Sequence, residues 1–211
     1  MNRTILTDLL IATGNTGKAA EIRVLLGNLP ISLRTLIDFP NVRPVVESGN
    51  TYEENAVLKA RSYARQTALF ALADDSGLEV EALGGAPGVI SARYAGQGAS
   101  DNDRVAFLLR ELANAPSANR SARFVCVIAL ADSTSAIVDV ESGVCEGQII
   151  DEPRGANGFG YDPIFIPQGF DKTFAELPNK IKNDISHRGR ALQAARAFLE
   201  RLLARESGIV A

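Results

Sequence analysis

Two adjacent carboxylates, Asp74 and Asp75, stand at the end of the apolar stretch 69–73 and are followed by Ser76-Gly77. Acidic side chains where a buried strand ends suit a hard cation and a base that activates water. Strand ends are also a usual place for functional groups in α/β proteins. Successive strand residues point to opposite faces, so only one of the pair can readily face a given cleft. A helix cap or a solvated turn is the plainer use of Asp-Asp-Ser-Gly. A second feature is the loop Thr13-Gly14-Asn15-Thr16-Gly17-Lys18, set where an apolar stretch hands over to a helical one. Backbone amides at a helix start favour an anion, and Lys18 adds a full positive charge. This is not a Walker A loop, which has four residues between its glycines and a hydroxyl after the lysine; here two residues intervene and Ala19 follows. An ordinary glycine turn is the simpler alternative.

Three further groups could join them. Glu47 precedes Ser48-Gly49 in a polar loop and is a candidate second carboxylate ligand, or a plain surface acid. Lys180, Lys182, His187, Arg188 and Arg190 bring five basic or potentially basic groups into eleven residues. A charge run is usually a solvated face. Here, however, His187 and Arg188 directly follow Ser186 at a helix start, where cations oppose the helix dipole, so a binding role gains weight. Phe159-Gly160-Tyr161-Asp162 offers aromatic surface on a glycine loop, suited to a planar base, or else a hairpin packed on the core.

The elements that must position these groups follow from periodicity and punctuation. Residues 5–12 read as a strand, 13–18 as a turn, and 19–29 as a helix with Ile22, Leu25, Leu26 and Leu29 on one face. A second strand fits residues 31–36. Thr51-Tyr52-Glu53-Glu54 opens a helix to about Gln66 as a capping box, which accounts for Glu54; Asn55 reads as structural there, with support of a ligand from the helix start as the alternative. Short strands at 69–73 and 78–82 enclose the acidic pair. A helix starts at Ser100 or Asp101, with Val105, Leu108, Leu109 and Leu112 as its face. Strands at 123–131, 136–143 and 144–150 follow, then a glycine and aromatic loop at 155–161, a strand at 163–166, and a last helix over about 186–205. With no repeat, low-complexity tract or linker, the 211 residues read as one α/β unit whose strands join in one mixed sheet.

Composition narrows the function classes. A 46% hydrophobic share with 22% charged residues excludes disorder for most of the length, because a disordered chain lacks the apolar surface to offset backbone entropy. The longest clean apolar run, residues 124–131, is strand-sized, whereas a membrane span needs roughly 20 such residues. Asp8 interrupts the apolar stretch near the N-terminus, so no cleavable signal pattern is read there and a cytoplasmic location is expected. A net charge of -3 argues against a broad nucleic-acid or anionic-membrane surface, while leaving room for a small anion held by a few local cations. Cys126 and Cys145 lack a CxxC spacing and read as reduced and buried. A single histidine rules out a multi-histidine zinc site and turns attention to a hard cation on carboxylates.

These signals converge on a nucleotide with several phosphates and a Mg²⁺ ion. The stretches IATGNTGKAAEI, ESGNTYEENAVLKA, ALADDSGLEVEALGGAPGVISARYAG, GANGFGYDPIF and ISHRGRAL resemble the inosine triphosphate pyrophosphatase family, the XTP/dITP diphosphatases. The resemblance runs from about residue 11 to residue 199 with the motifs in family order, and the Asp-Asp-Ser-Gly and Ser-His-Arg-Gly blocks together are highly specific. It implies a mixed twisted sheet flanked by helices, two lobes and a central nucleotide cleft. It also implies hydrolysis of ITP, dITP or XTP to the monophosphate and pyrophosphate, Mg²⁺ dependence and a homodimer. The family's phosphate loop falls on Thr13, Gly14, Asn15, Thr16, Gly17 and Lys18. Its catalytic, metal-linked aspartate falls on Asp75 and its substrate serine on Ser76. Later substrate contacts fall on Phe159, Gly160, Tyr161 and Asp162, and on Lys182, His187 and Arg188. The acidic metal position falls on Glu47; many relatives carry two consecutive acids there, where this chain has Val46-Glu47.

The residues support such chemistry without the family. Cleavage between the α and β phosphates needs an in-line water, neutralised phosphates and a group that orients the water. Mg²⁺ and Lys18 would neutralise charge, and Asp75 would act as ligand, base or both. Donors on Lys182, His187 and Arg188 match the 6-oxo acceptor of hypoxanthine or xanthine. Adenine would set an amino donor against them, at about 1–3 kcal/mol per unpaired buried group. The nearest rival enzyme is a Maf-like nucleotide pyrophosphatase, disfavoured by the Ser-His-Arg-Gly block; the rival from another class is a nucleotide-binding regulator, which has no need of paired acids beside a phosphate loop.

Overall fold

The computed structural model describes residues 6–115 and 119–206. Six strands form one sheet in the order β2-β1-β3-β4-β5-β6: β1 (Asp8–Ile11), β2 (Ser32–Thr35), β3 (Phe70–Val80), β4 (Ser121–Ala131), β5 (Ile137–Ile149) and β6 (Phe165–Pro167). β1 runs parallel to both β2 and β3, with Leu9 opposite Leu33 on one side and Phe70 on the other. β5 and β6 are antiparallel, with Gln148 opposite Ile166. The helices are α1 (Thr16–Leu26), α2 (Tyr52–Thr67), α3 (Asp101–Ala113), α4 (Asn179–Ile185) and α5 (His187–Glu206). The mixed α/β fold expected from the sequence is what forms. Among the described residues no helix is long and apolar enough to cross a membrane. Cys126 and Cys145 are both free and buried, as read.

Several boundaries differ from the periodicity reading. Asp74-Asp75-Ser76-Gly77 is no turn: β3 continues through it for 11 residues. The two strands expected around Gly143 are likewise one 13-residue strand, β5. Aspartate and glycine are poor strand formers in isolation, but a strand buried on both faces takes its conformation from packing and pairing rather than from propensity. The seven-residue helix α4 was not foreseen, being too short to display a helical period. At α2, Thr51 accepts the Glu54 amide as an N-cap (3.1 Å), but the Glu54 carboxylate reaches back to the Asn50 amide (2.6 Å) instead of closing the box on Thr51.

Contacts divide the chain into two compact units. The first takes the described residues of 1–75, 127–142 and 189–211, so it holds β1, α1, β2, α2 and most of α5. Its fully buried side chains include Leu9, Ile11, Ile22, Leu72, Leu192 and Leu199. α2 contributes small residues, Ala56, Ala60 and Ala64, each with no exposed surface, on the inward face that Asn55 and Lys59 share. The second unit takes 76–126 and 143–188. Its core centres on three rings, Phe124, Phe165 and Phe174, whose centroids lie 4.7–5.9 Å apart, with Leu78, Leu108 and Ile164 around them.

One acid in the first unit works against the fold at neutral pH. Burial, with repulsion from Glu141 added, pushes the Asp139 carboxyl up to about 6 against the opposing pull of Arg201. A raised value means that the native state holds the proton more tightly than the unfolded chain does. The resulting stability is present below the ordinary Asp pKa of about 4 and is lost as pH rises to about 6. Asp139→Asn should therefore raise Tm more at pH 7.5 than at pH 4, measured by thermal melts; an equal shift at both values would sink this account.

Candidate active site

In the first unit, the two consecutive acids of β3 part company as alternation requires. Asp74, with a fully buried side chain, pairs with Lys18 Nζ of α1 at 2.9 Å. Asp75 accepts two bonds from α2: Lys59 Nζ to Oδ1 at 3.0 Å and Asn55 Nδ2 to Oδ2 at 3.3 Å. Lys59 Nζ also holds Glu47 Oε1 at 2.6 Å, so one ammonium draws the Glu47 and Asp75 carboxylates together. Asn55 fixes the loop that carries Glu47. Its Oδ1 accepts the Gly49 amide at 2.8 Å, and a Cβ at residue 49 would stand only 2.8 Å from that same oxygen, which is why glycine is needed there. Burial pushes the Asp75 carboxyl above the ordinary carboxylate value; Lys59 pulls it back without restoring it, and Glu47 adds to the rise. Burial also opposes the Lys59 ammonium, but the charges of Asp74, Asp75 and Glu47 outweigh it and raise its pKa above the usual lysine value.

The 13–18 loop precedes and opens α1. Asn15 is the N-cap, accepting the Lys18 amide at 3.0 Å, while Thr13 Oγ1 accepts the Asn15 amide at 3.2 Å. Gly14, Asn15 and Thr16 are exposed, and no acidic side chain lies in the first helical turn. A helix start of this kind suits an anion.

In the second unit, three of the expected contacts, Lys182, Arg188 and Asp162, gather around Phe159. Lys182 Nζ lies 4.9 Å and the Arg188 guanidinium carbon 5.5 Å from the centroid of its ring. Lys182 is buried in an ion pair with Asp162 Oδ2 at 2.6 Å, and that oxygen also accepts the Phe159 amide at 2.9 Å. Gly158, at φ +77°, passes so close that a Cβ would stand 2.0 Å from the Asp162 carboxylate. Arg188 donates to Ser76 Oγ at 2.9 Å. His187 is stacked on Phe124, with centroids 4.6 Å apart and planes 10° from parallel. The Tyr161 side chain goes to the core instead, its hydroxyl donating to the Ser91 carbonyl at 3.0 Å. Burial pushes that hydroxyl's pKa well above the tyrosine value.

Sequence reading passed over Lys59 and gave Asn55 a structural part. A signal existed: a lysine in a stripe with Tyr52, Ala56, Ala60 and Tyr63 at helical spacing is a charge on an apolar face, which needs a buried partner. Among the described residues no group of three or more His, Cys, Asp or Glu side chains is placed to hold an ion. Mg²⁺ usually takes one or two carboxylates and completes its shell with waters and substrate phosphates. The hard-oxygen pair of Asp75 and Glu47, already drawn to one cation, fits that habit.

Comparison with known proteins gives this geometry its context. The sequence profile of the Ham1 family matches residues 9–198. The chain belongs to the Ham1 family. The dITP/XTP pyrophosphatase of Geobacter sulfurreducens is 51% identical over 187 residues, 89% of this chain and 94% of that protein. The dITP/XTP pyrophosphatase of Halalkalibacterium halodurans is 45% identical over 191 residues, 90% and 98% of the two chains. A Ham1 protein from Coxiella burnetii superposes with a TM-score of 0.85 at 46% identity, covering 92% of this chain and 99% of the other. The family resemblance read from the motifs is thereby borne out.

The Lys59 bridge in this Ham1 chain has a measurable consequence. The Lys59 ammonium has a raised pKa, so it stays charged between pH 5 and 8, and any pH dependence of the bridge in that range comes from its carboxylate partners. Lys59→Met leaves Asp75 and Glu47 facing each other without it. The Tm loss should be larger at pH 8 than at pH 5, because burial raises the Asp75 pKa and makes its charge easier to discharge as pH falls. A loss independent of pH would mean that packing, not charge, is what Lys59 supplies.

Proposed function

We propose that this chain is a nucleoside triphosphate pyrophosphatase that hydrolyses the noncanonical purine nucleotides ITP, dITP and XTP to the monophosphate and pyrophosphate. The observation that carries this reading is the Lys59 ammonium shared by Asp75 Oδ1 and Glu47 Oε1 in a chain of the Ham1 family. Membership alone would leave the chemistry without a seat, and the buried carboxylates alone would leave the substrate open.

Asp75 is the catalytic residue on this reading. Asn55 and Lys59 fix the two oxygens of its carboxylate, so that the group can orient a water toward the α-phosphorus and receive its proton. Asp75 and Glu47 would hold Mg²⁺, which when bound supplies neutralising charge to the phosphates. The 13–17 loop that opens α1 binds the phosphates with Lys18, which Asp74 keeps in place. The Phe159 ring takes the purine face, and Lys182, His187 and Arg188 supply donors for a 6-oxo base. Lys182 and Arg188 are oriented by Asp162 and Ser76. The same resemblance carries a homodimer.

The test is a panel of Mg²⁺-dependent hydrolysis rates on ITP, XTP, dITP, GTP and ATP, with pyrophosphate and orthophosphate measured separately. ITP and XTP should exceed ATP by roughly a hundred-fold or more in kcat/KM, on the scale of two mismatched polar groups, with pyrophosphate as the direct product. Orthophosphate with a nucleoside diphosphate would sink the reading. Asp75→Asn should cost at least about 100-fold in kcat, the scale of a lost general base, while Asp74→Asn should act mainly through KM by loosening Lys18. The reverse pattern would exchange the roles of the two acids.

A further inference from the structure

The loop that carries Phe159 is held at several points, and one of them lies outside the residues assigned to the substrate. Within the second unit, Phe159 N–H is taken by Asp162 Oδ2 and the Tyr161 hydroxyl by the Ser91 carbonyl, both contacts from within or beneath the loop. The amide between them, Gly160 N–H, is taken at 2.7 Å by Oδ2 of Asp101, a residue 59 positions earlier in the chain. Asp101 is the first residue of α3, and its other oxygen, Oδ1, is paired with Arg104 on the next turn. Arg104 in turn donates to the Ala99 carbonyl at 2.7 Å, so the carboxylate is braced from its own helix.

We infer that Asp101 is a positioning residue for the purine site: its carboxylate fixes the peptide that follows Phe159 and so sets the plane of the ring. This rests on the base-binding part assigned above to Phe159. The physical ground is that Gly160 sits at φ +63°, a conformation that leaves this peptide without a helical or sheet partner, and an ionised acceptor makes about twice the bond of a neutral one. The ring it steadies is the one that Lys182 and Arg188 approach at 4.9 and 5.5 Å. Loss of Asp101 leaves the helix cap untouched, because Ser100 and Asp103 make the capping box of α3 without it.

The experiment compares Asp101→Ala, Asp101→Asn and Asp103→Ala by calorimetric binding of inosine monophosphate and of inorganic pyrophosphate, and by steady-state ITP hydrolysis. Asp101→Ala should weaken inosine monophosphate binding about 5- to 10-fold, raise KM for ITP to match, and leave kcat and pyrophosphate binding within two-fold, estimates on the scale of one charge-assisted hydrogen bond partly replaced by water. Asp101→Asn keeps an acceptor oxygen and should recover part of the loss. Asp103→Ala removes the capping box and should lower Tm while leaving inosine monophosphate binding unchanged. If Asp103→Ala weakens the nucleotide as much as Asp101→Ala, or if Asp101→Ala binds it as wild type does, Asp101 has no such part. A wild-type chain that neither binds inosine monophosphate nor turns over ITP would overturn the function itself, which separates the two failures.

Discussion

Two carboxylates at consecutive buried positions of β3 set the demand that the first unit is built to meet. Burying an unpaired charge is costly, and removing one partner of a buried pair typically costs about 3–5 kcal/mol. Because neighbours on a strand face opposite ways, one cation cannot serve both acids from one side. The chain answers with two lysines from two helices, Lys18 from α1 for Asp74 and Lys59 from α2 for Asp75. Each helix is thereby tied to the strand by charge as well as by apolar packing, and the 13–18 loop at the start of α1 is placed by the same ion pair that neutralises Asp74.

α2 carries more of this than any other element. Glu54, Asn55 and Lys59 lie on it within two turns and reach respectively the Asn50 amide, Gly49 with Asp75, and Glu47 with Asp75. The 47–50 loop thus has little freedom of its own; its conformation is copied from the helix. The alanines at 56, 60 and 64 let that helix lie close enough for short polar side chains to reach the strand. The outcome is a pair of carboxylates held near one cation, with the Asp75 carboxyl raised in pKa by burial while its geometry is fixed by hydrogen bonds.

The second unit solves a related problem with different parts. Lys182 and Asp162 are both almost wholly buried and neutralise one another, and the shared Asp162 oxygen also takes the Phe159 amide. Gly158 is the one residue type that can pass beside that carboxylate. A single ion pair therefore sets the position of a lysine and the start of the loop that carries Phe159. The basic residues His187 and Arg188, awkward at the first turn of α5, are held there by tertiary contacts with Phe124 and Ser76.

By itself the sequence determined the fold class, the parallel handover from β1 through the 13–18 loop into α1, the cap of α2 by Thr51, and the family, because these are written in local periodicity and contiguous motifs. It also singled out Asp75, Glu47, Lys18, Lys182, His187 and Arg188 as candidates, since charge and glycine stand out against apolar surroundings. Only the tertiary structure decided what each touches. Asp74-Asp75-Ser76-Gly77 looked like a turn because its propensities are those of a turn; packing on both faces and two lysines distant in sequence make it a strand. The local pattern marks Lys59 only as a charge on an apolar helix face and leaves Asn55 open; their partners lie 12, 16 and 20 positions away in chain order, so the pattern cannot name them. Asp101 was legible only as a helix start, its bond to Gly160 spanning 59 positions. Local sequence fixes what a segment prefers; which charges become neighbours is settled by the burial that brings distant segments together.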